Sequence, residues 1–162
     1  MSILHLEGQT DSATGRYAIV AARFNGFIVD QMLEGATQAL LRNGVGEDAI
    51  SVVRVPGSFE LPVTVDVLAG SGRFAGIIAL GAVIRGATAH FDYVAAEASR
   101  GLAAAAVNHG CAVGFGLLTT DTVDQALERA ALDQGNKGHD VAMTVLEMAD
   151  LLNRQIPAAL DQ

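Results

Sequence analysis

The sequence predicts an α/β domain, a parallel sheet covered by helices on both faces. Three observations carry this. Four apolar stretches of strand length recur along the chain. A segment of helical spacing or composition follows each of them. The third stretch, residues 76–84 (GIIALGAVI), is apolar and uncharged throughout, as a strand buried on both faces reads. Strands that alternate with helices in this way join in parallel through right-handed crossovers.

Residues 1–15 read as an N-terminal arm: Ile3, Leu4 and Leu6, then a Gly/Ser/Thr/Asp loop. Such an arm is either mobile or pinned to a neighbouring subunit. Residues 17–22 (YAIVAA) are the first strand, broken by Arg23-Phe24-Asn25-Gly26. Ile28, Met32, Leu33, Ala36, Ala39 and Leu40 recur at helical spacing, and Asn43-Gly44 ends that helix. Residues 50–55 (ISVVRV) are the second strand, turned by Pro56-Gly57-Ser58. A helix then runs from Phe59 or Glu60 to about Ala69, with Pro62 tolerated in its first turn.

The third strand leads through Arg85-Gly86-Ala87-Thr88-Ala89 into an Ala-rich helix from about His90 to Asn108-His109-Gly110. Residues 111–118 (CAVGFGLL) are the fourth strand, and Asp121 is the expected N-cap of a helix over 122–131. After an interruption at 133–135, a last helix from about Gly138 carries the stripe Val141, Val145, Met148, Leu152 and ends at Pro157. The expected organisation is an arm (1–15), one domain (16–157) and a short tail (158–162).

At 162 residues the chain is long enough for one domain with a full core. It is 51% hydrophobic and 17% charged, yet no apolar run approaches the about 20 residues of a membrane span. Surplus apolar surface of this kind points to subunit interfaces. The helix after the third strand, with Ala95, Ala96, Ala98 and Ala103 to Ala106, is small and weakly polar on most sides. One side is expected on the sheet and the other against copies of itself. A net charge of −8 argues against a nucleic-acid partner. With one cysteine, Cys111, there is no intrachain disulfide and no cysteine cluster for zinc. The start of the chain lacks the pattern of a secretory signal, so a cytoplasmic protein is expected.

Ligands of open parallel sheets bind beyond the carboxyl ends of the strands. There the first strand delivers Phe24 and Asn25, the second Gly57, Ser58 and Glu60, and the third Gly86, Thr88 and His90. A glycine turn opening a helix presents free N–H groups and the positive end of the helix dipole, a natural anion site. A histidine at that corner is placed to move protons. Each residue also has an ordinary reading. His90 could be a packed helix-start histidine, Phe24 plain core, and Glu60 a first-turn carboxylate. Arg129 and Lys137 could be solvated charges, although Lys and Arg total only 10. Asp92, Glu97 and Asp124 read as solvent or helix-terminal charges. The residues alone support a phosphate-handling α/β protein.

Several blocks in order carry a more specific resemblance: Arg23-Phe24-Asn25; residues 55–62 (VPGSFELP); residues 81–94 (GAVIRGATAHFDYV); residues 115–120 (FGLLTT); residues 125–130 (QALERA) with Asn136-Lys137-Gly138. From Tyr17 to about Leu152 the chain resembles the lumazine synthases of the riboflavin pathway. The resemblance implies a three-layer αβα sandwich on a four-stranded parallel, flavodoxin-like sheet. It implies condensation of 5-amino-6-(D-ribitylamino)uracil with 3,4-dihydroxy-2-butanone 4-phosphate, without metal or organic cofactor.

By the same resemblance Phe24 would stack on the pyrimidine and Asn25 line its pocket. Ser58, Phe59 and Glu60, following Gly57, would hold the ribityl chain. Val83 and Ile84, with Gly81 and Ala82 before them, would contact the pyrimidine edge. Gly86, Ala87 and Thr88 would cradle the phosphate with Arg129, and His90 would transfer protons. Phe115 would come from the adjacent subunit, with Lys137 at the edge of the site. His90 and Arg129 are thus expected at one rim. The implied assembly is a homo-oligomer, a pentamer rather than a decamer or sixty-subunit shell. The joint at 131–136 has the length found in shell formers but not their composition. The strand bearing Phe115 has Ala112 where many members have proline, which affects no chemistry. The alternatives are a flavin- or lumazine-binding relative without catalysis, which would need neither His90 nor Arg129, and a purely structural shell protein.

Overall fold

The structure, a computed structural model, describes residues 2–162. Its centre is a four-stranded parallel sheet in the order β2-β1-β3-β4. The strands are β1 (Tyr17–Ala22), β2 (Ile50–Val55), β3 (Gly76–Ile84) and β4 (Ala112–Thr120). The two inner strands are the uniformly apolar ones and are buried along almost their whole length. Helices α1 (Gly26–Arg42), α4 (Val123–Ala130) and α5 (Lys137–Asp150) share one face of the sheet, while α2 (Leu61–Gly70) and α3 (His90–His109) cover the other. Helices on both faces of a parallel sheet are what the alternation of elements predicts, and the three-layer, flavodoxin-like arrangement is the one the resemblance implies. No helix among the described residues is long and apolar enough to cross a membrane.

Two close contacts set the α1–α4–α5 layer. A β-carbon at Gly138 would overlap the Met32 carbonyl, so only glycine lets the start of α5 lie against α1. Beside it, buried Asn136 caps α5 by accepting from the His139 N–H at 2.9 Å. Its amide donates to the carbonyls of Gln31 (2.8 Å) and Ala130 (2.7 Å), tying α5 to α1 and α4.

Four boundaries differ from expectation, each for a local reason. The fourth strand runs to Thr120, not Leu118, because β3 pairs with it to the end of both strands. Thr122, not Asp121, caps α4: its hydroxyl accepts from the Gln125 N–H at 3.1 Å, while the Asp121 carboxylate is held by Arg85. The second helix starts later than read, because residues Ser58–Glu60 form a 3-10 turn ahead of it. Pro157 does not end the last helix. A π-turn over Leu151–Gln155 widens the backbone so that Pro157 enters the first turn of α6 (Ile156–Leu160), where its missing N–H has no helical partner to lose.

That π-turn also anchors the arm. The Asp150 carboxylate, only 5% exposed, accepts from Arg154 Nε (2.6 Å), Gln155 Nε2 (2.8 Å) and the backbone N–H of Gln9 (2.8 Å). Gln155 also donates to the Glu7 carbonyl. Ile3 and Leu4, beyond this anchor, stand in solvent.

The hydrogen bond from Arg154, aided by Gln155 and Gln9, lowers the Asp150 pKa from 3.8 to about 2. A depressed folded-state pKa means that the ionised form favours the fold. The stabilisation is therefore complete above the ordinary pKa and is lost as pH falls through the folded one. Thermal denaturation across pH 2 to 6 is expected to show this loss in the wild type. Asp150→Asn should lower the melting temperature near neutrality and flatten the acid limb. An unchanged acid limb in the variant would remove Asp150 from the pH dependence.

Candidate active site

The strand order places a topological switch between β1 and β3, since the chain leaves β1 toward β2 and later returns to its other side. Crevices open at such points. Here β1 and β3 pair from Tyr17↔Gly76 as far as Ala21↔Leu80 and then part. The end of β1 stays with β2: the N–H groups of Arg23 and Phe24 donate to the carbonyls of Val55 (2.8 Å) and Pro56 (3.0 Å). Asn25 spans the gap, its side-chain amide donating to the Ala82 carbonyl at 2.8 Å. Its backbone is left-handed, with φ 58° and ψ 40°, making it the one non-glycine residue at positive φ among those described. Asparagine tolerates this geometry better than most residues.

A cavity of ≈ 780 Å³ fills the crevice on the α2–α3 side. Phe24 stands 72% exposed at its mouth, and Phe59 is 61% exposed. Glu60, half-buried in the 3-10 turn, directs Oε1 toward Gly57. Ser58 is buried under Gly81, where a β-carbon would come within 2.6 Å of its Oγ. Glycine at 81 thus lets the turn at 58–60 sit against β3. Ala82, Val83 and Ile84 line the wall formed by β3.

At the far corner, Gly86 and Thr88 line the cavity and His90 opens α3. Among the described residues, none of the N–H groups of Gly86, Ala87, Thr88 and Ala89 is engaged in a hydrogen bond. The only polar contact of His90 there is its backbone N–H on Thr88 Oγ1 at 3.5 Å, which leaves the imidazole free. Four unused donors at a helix start beside a free imidazole suit an anion whose departure needs proton transfer.

Of the seventeen site positions expected from the sequence, the structure brings twelve into one cavity. Phe24, Asn25, Gly57, Ser58, Phe59, Glu60, Ala82, Val83, Ile84, Gly86, Thr88 and His90 all line the cavity. Gly81 lies beneath it, and Ala87 is exposed in the loop without lining it. Phe115, Arg129 and Lys137 do not line it. Phe115 is 47% exposed on edge strand β4. Arg129 is exposed on α4 and donates to the Gln125 carbonyl at 2.9 Å. Lys137 is exposed at the start of α5. One protomer therefore does not bring His90 and Arg129 into one cavity.

The cavity also has walls that the sequence reading passed over. Pro56, Phe91, Tyr93, Val94 and Glu97 line it. Glu97, read as a solvent charge, is a wall residue as well as the partner of Arg100 at 2.6 Å. Part of the signal was local: positions 90, 94 and 97 fall on one face of a helix, but which way that face turns is set by the packing of α3 on the sheet. The lining carries two carboxylates and a histidine but no Lys or Arg. No group of three or more His, Cys, Asp or Glu able to hold a metal occurs among the described residues.

Comparison with known proteins identifies relatives along nearly the whole chain. The family model described as 6,7-dimethyl-8-ribityllumazine synthase matches residues 14–153. A protein of that name from Nitratidesulfovibrio vulgaris (strain DSM 19637 / Miyazaki F) is 52% identical over 149 residues, which cover 92% of this chain and 96% of the relative. Another from Desulfatibacillum aliphaticivorans is 51% identical over 146 residues, covering 90% and 94%.

The Asn25 geometry makes a ranked prediction. Asn25→Ala loses the bond to Ala82 and puts an ordinary side chain at positive φ, a combined cost of about 2–3 kcal/mol. Asn25→Gly loses only the bond, about 1 kcal/mol. Urea denaturation should rank wild type, Asn25→Gly, Asn25→Ala in falling order of stability. Equal midpoints for the two variants would show that the backbone there is unstrained.

Proposed function

The chain belongs to the 6,7-dimethyl-8-ribityllumazine synthase family, and we propose that it works in the β1–β3 crevice, completed by a neighbouring copy. The activity is the condensation of 5-amino-6-(D-ribitylamino)uracil with 3,4-dihydroxy-2-butanone 4-phosphate to 6,7-dimethyl-8-ribityllumazine, with loss of phosphate and water, in riboflavin biosynthesis. The protein is an enzyme of the transferase class and a homo-oligomer.

One observation carries the shared site: the lining of the cavity holds Glu60, Glu97 and His90 but no cation. Departure of phosphate builds negative charge, and an acidic, unassisted pocket opposes it. In our reading Arg129 supplies the missing charge from the next subunit. Phe115 on the adjoining edge strand closes the pyrimidine pocket, and Lys137 lies at its border. Two exposed stripes support extensive contact between copies: Phe59 of the 3-10 turn with Val63 and Val67 along α2, and Tyr93, Ala96, Ala103 and Val107 along α3. Apolar stripes of this kind are normally covered. We read the ring as a pentamer, on the composition of the joint at 131–136.

Within the crevice Phe24 stacks on the pyrimidine. Asn25, Val83 and Ile84 line its edge, and the turn at 57–60 holds the ribityl chain, with the Glu60 carboxylate accepting from its hydroxyls. The free N–H groups after Gly86 receive the phosphate with Thr88. The amine and carbonyl, held face to face, form an imine. His90 moves protons as phosphate leaves and the ring closes.

Assay of lumazine formation tests this reading. His90→Ala should lower turnover by about 10²-fold or more with the fold intact, whereas Arg129→Ala should act chiefly on the phosphorylated substrate. Neither variant alone should be efficient. Mixed oligomers refolded from equal amounts of the two should regain about a quarter of the wild-type sites, those with an intact histidine facing an intact arginine across an interface. Mixtures no more active than the average of their parents would place both groups in one chain and end the shared-site reading.

A further inference from the structure

Arg85 has no part in the reading above, yet its side chain engages three others, Asp121, Asp92 and Phe91. Its N–H donates to the Thr120 carbonyl at 2.8 Å, carrying the β3–β4 pairing one residue further. The guanidinium donates from Nε to Asp121 Oδ1 at 2.9 Å and lies 3.4 Å from Asp92 Oδ1 through a terminal nitrogen. Its plane covers the Phe91 ring, 4.5 Å from the centroid. Phe91 and Asp92 belong to the first turn of α3, and Asp121 to the turn entering α4. One side chain thus joins the two segments that flank the loop at 86–89.

That loop has little else to hold it. Its four N–H groups are unused, and a β-carbon at Gly86 would meet nothing within 4 Å. A loop of free donors binds an anion well only if its curve is set beforehand. Charge matters too. Asp92 and Asp121 stand on either side of the loop, and without a counter-charge both would oppose an anion there. The strap also reaches α4. The Asp121 N–H donates to Gln125 Oε1 at 2.8 Å, and the carbonyl of the same Gln125 accepts from Arg129 at 2.9 Å.

We propose that Arg85 is a positioning residue for the anion site: it fixes the curve of the 86–89 loop and offsets part of the field of Asp92 and Asp121 without touching the phosphate. This rests on the reading of that loop as the phosphate site. Arginine suits the role because one planar fork serves a carboxylate on each side while its face stacks on Phe91.

The test is steady-state kinetics on the assembled enzyme, with inorganic phosphate as an inhibitor competing with the phosphorylated substrate. Arg85→Gln should raise the KM for that substrate and the inhibition constant of phosphate together, on the order of 3- to 10-fold. The KM for the aminouracil and the kcat at saturation should stay within about twofold. Arg85→Lys should recover part of the loss, since it restores charge but neither fork nor stacking. Arg85→Gln combined with Asp92→Asn and Asp121→Asn should recover more than Arg85→Gln alone, because the repelling carboxylates are gone.

Equal effects on both substrates, or a fall in kcat alone, would overturn the proposal. So would a triple variant no better than Arg85→Gln, or a loss above about a hundredfold, which belongs to a direct ligand. If Arg85→Gln does not assemble, Arg85→Lys decides: an unchanged phosphate inhibition constant there, with intact assembly, removes the need for the fork. A wild type that phosphate does not inhibit competitively would instead refute the loop as the phosphate site.

Discussion

The functional architecture depends on one hydrogen bond across a parting in the sheet. β1 and β3 pair as far as Ala21↔Leu80 and then separate, because the chain leaves β1 in one direction and returns in the other. The Asn25 amide, bonded to the Ala82 carbonyl at 2.8 Å, bridges that separation. A left-handed backbone at Asn25 turns the chain into α1 and leaves Phe24 facing outward from the end of β1. The crevice is therefore a consequence of topology, and its width is held by a residue that accepts mild strain to hold it.

Around that crevice the charge is arranged in two parts. The cavity of a single chain is acidic, with Glu60 and Glu97 in its lining. Carboxylates suit a polyol and an amino-pyrimidine, both rich in donors. They do not suit a phosphate. In the proposed assembly the cation arrives with the neighbouring chain, so the anionic substrate meets a complete site only when the ring is closed. Stability, assembly and catalysis would then rest on the same contacts. The exposed apolar stripes of α2 and α3 and the exposed edge of β4 are consistent with that demand.

Away from the crevice, two buried polar residues hold the layers in place. Asn136 joins α1, α4 and α5, which sets where the last two helices stand relative to the sheet. Asp150 gathers Arg154, Gln155 and the arm at Gln9 around one carboxylate. Neither side chain is left without partners, which is the condition for burying such groups without large loss.

Much of this was legible in the sequence. The apolar runs YAIVAA and GIIALGAVI announce inner strands because a segment buried on both faces admits no charge. The residues that follow each strand define the rim, since parallel strands all end at one edge. The glycine turn before His90 marks free backbone donors. Local pattern went astray where a distant partner decided the outcome. Asp121 looks like a helix cap but is taken by Arg85, so Thr122 caps. Pro157 looks like a stop, but a π-turn absorbs it. Glu97 looks like a solvated charge because its distance from the crevice depends on which way α3 lies on the sheet. The separation of Arg129 from the His90 cavity could not be read at all. Periodicity records how much of a segment is buried; it does not record strand order, crossover side or the position of another chain, and those fix the distances between groups far apart in sequence.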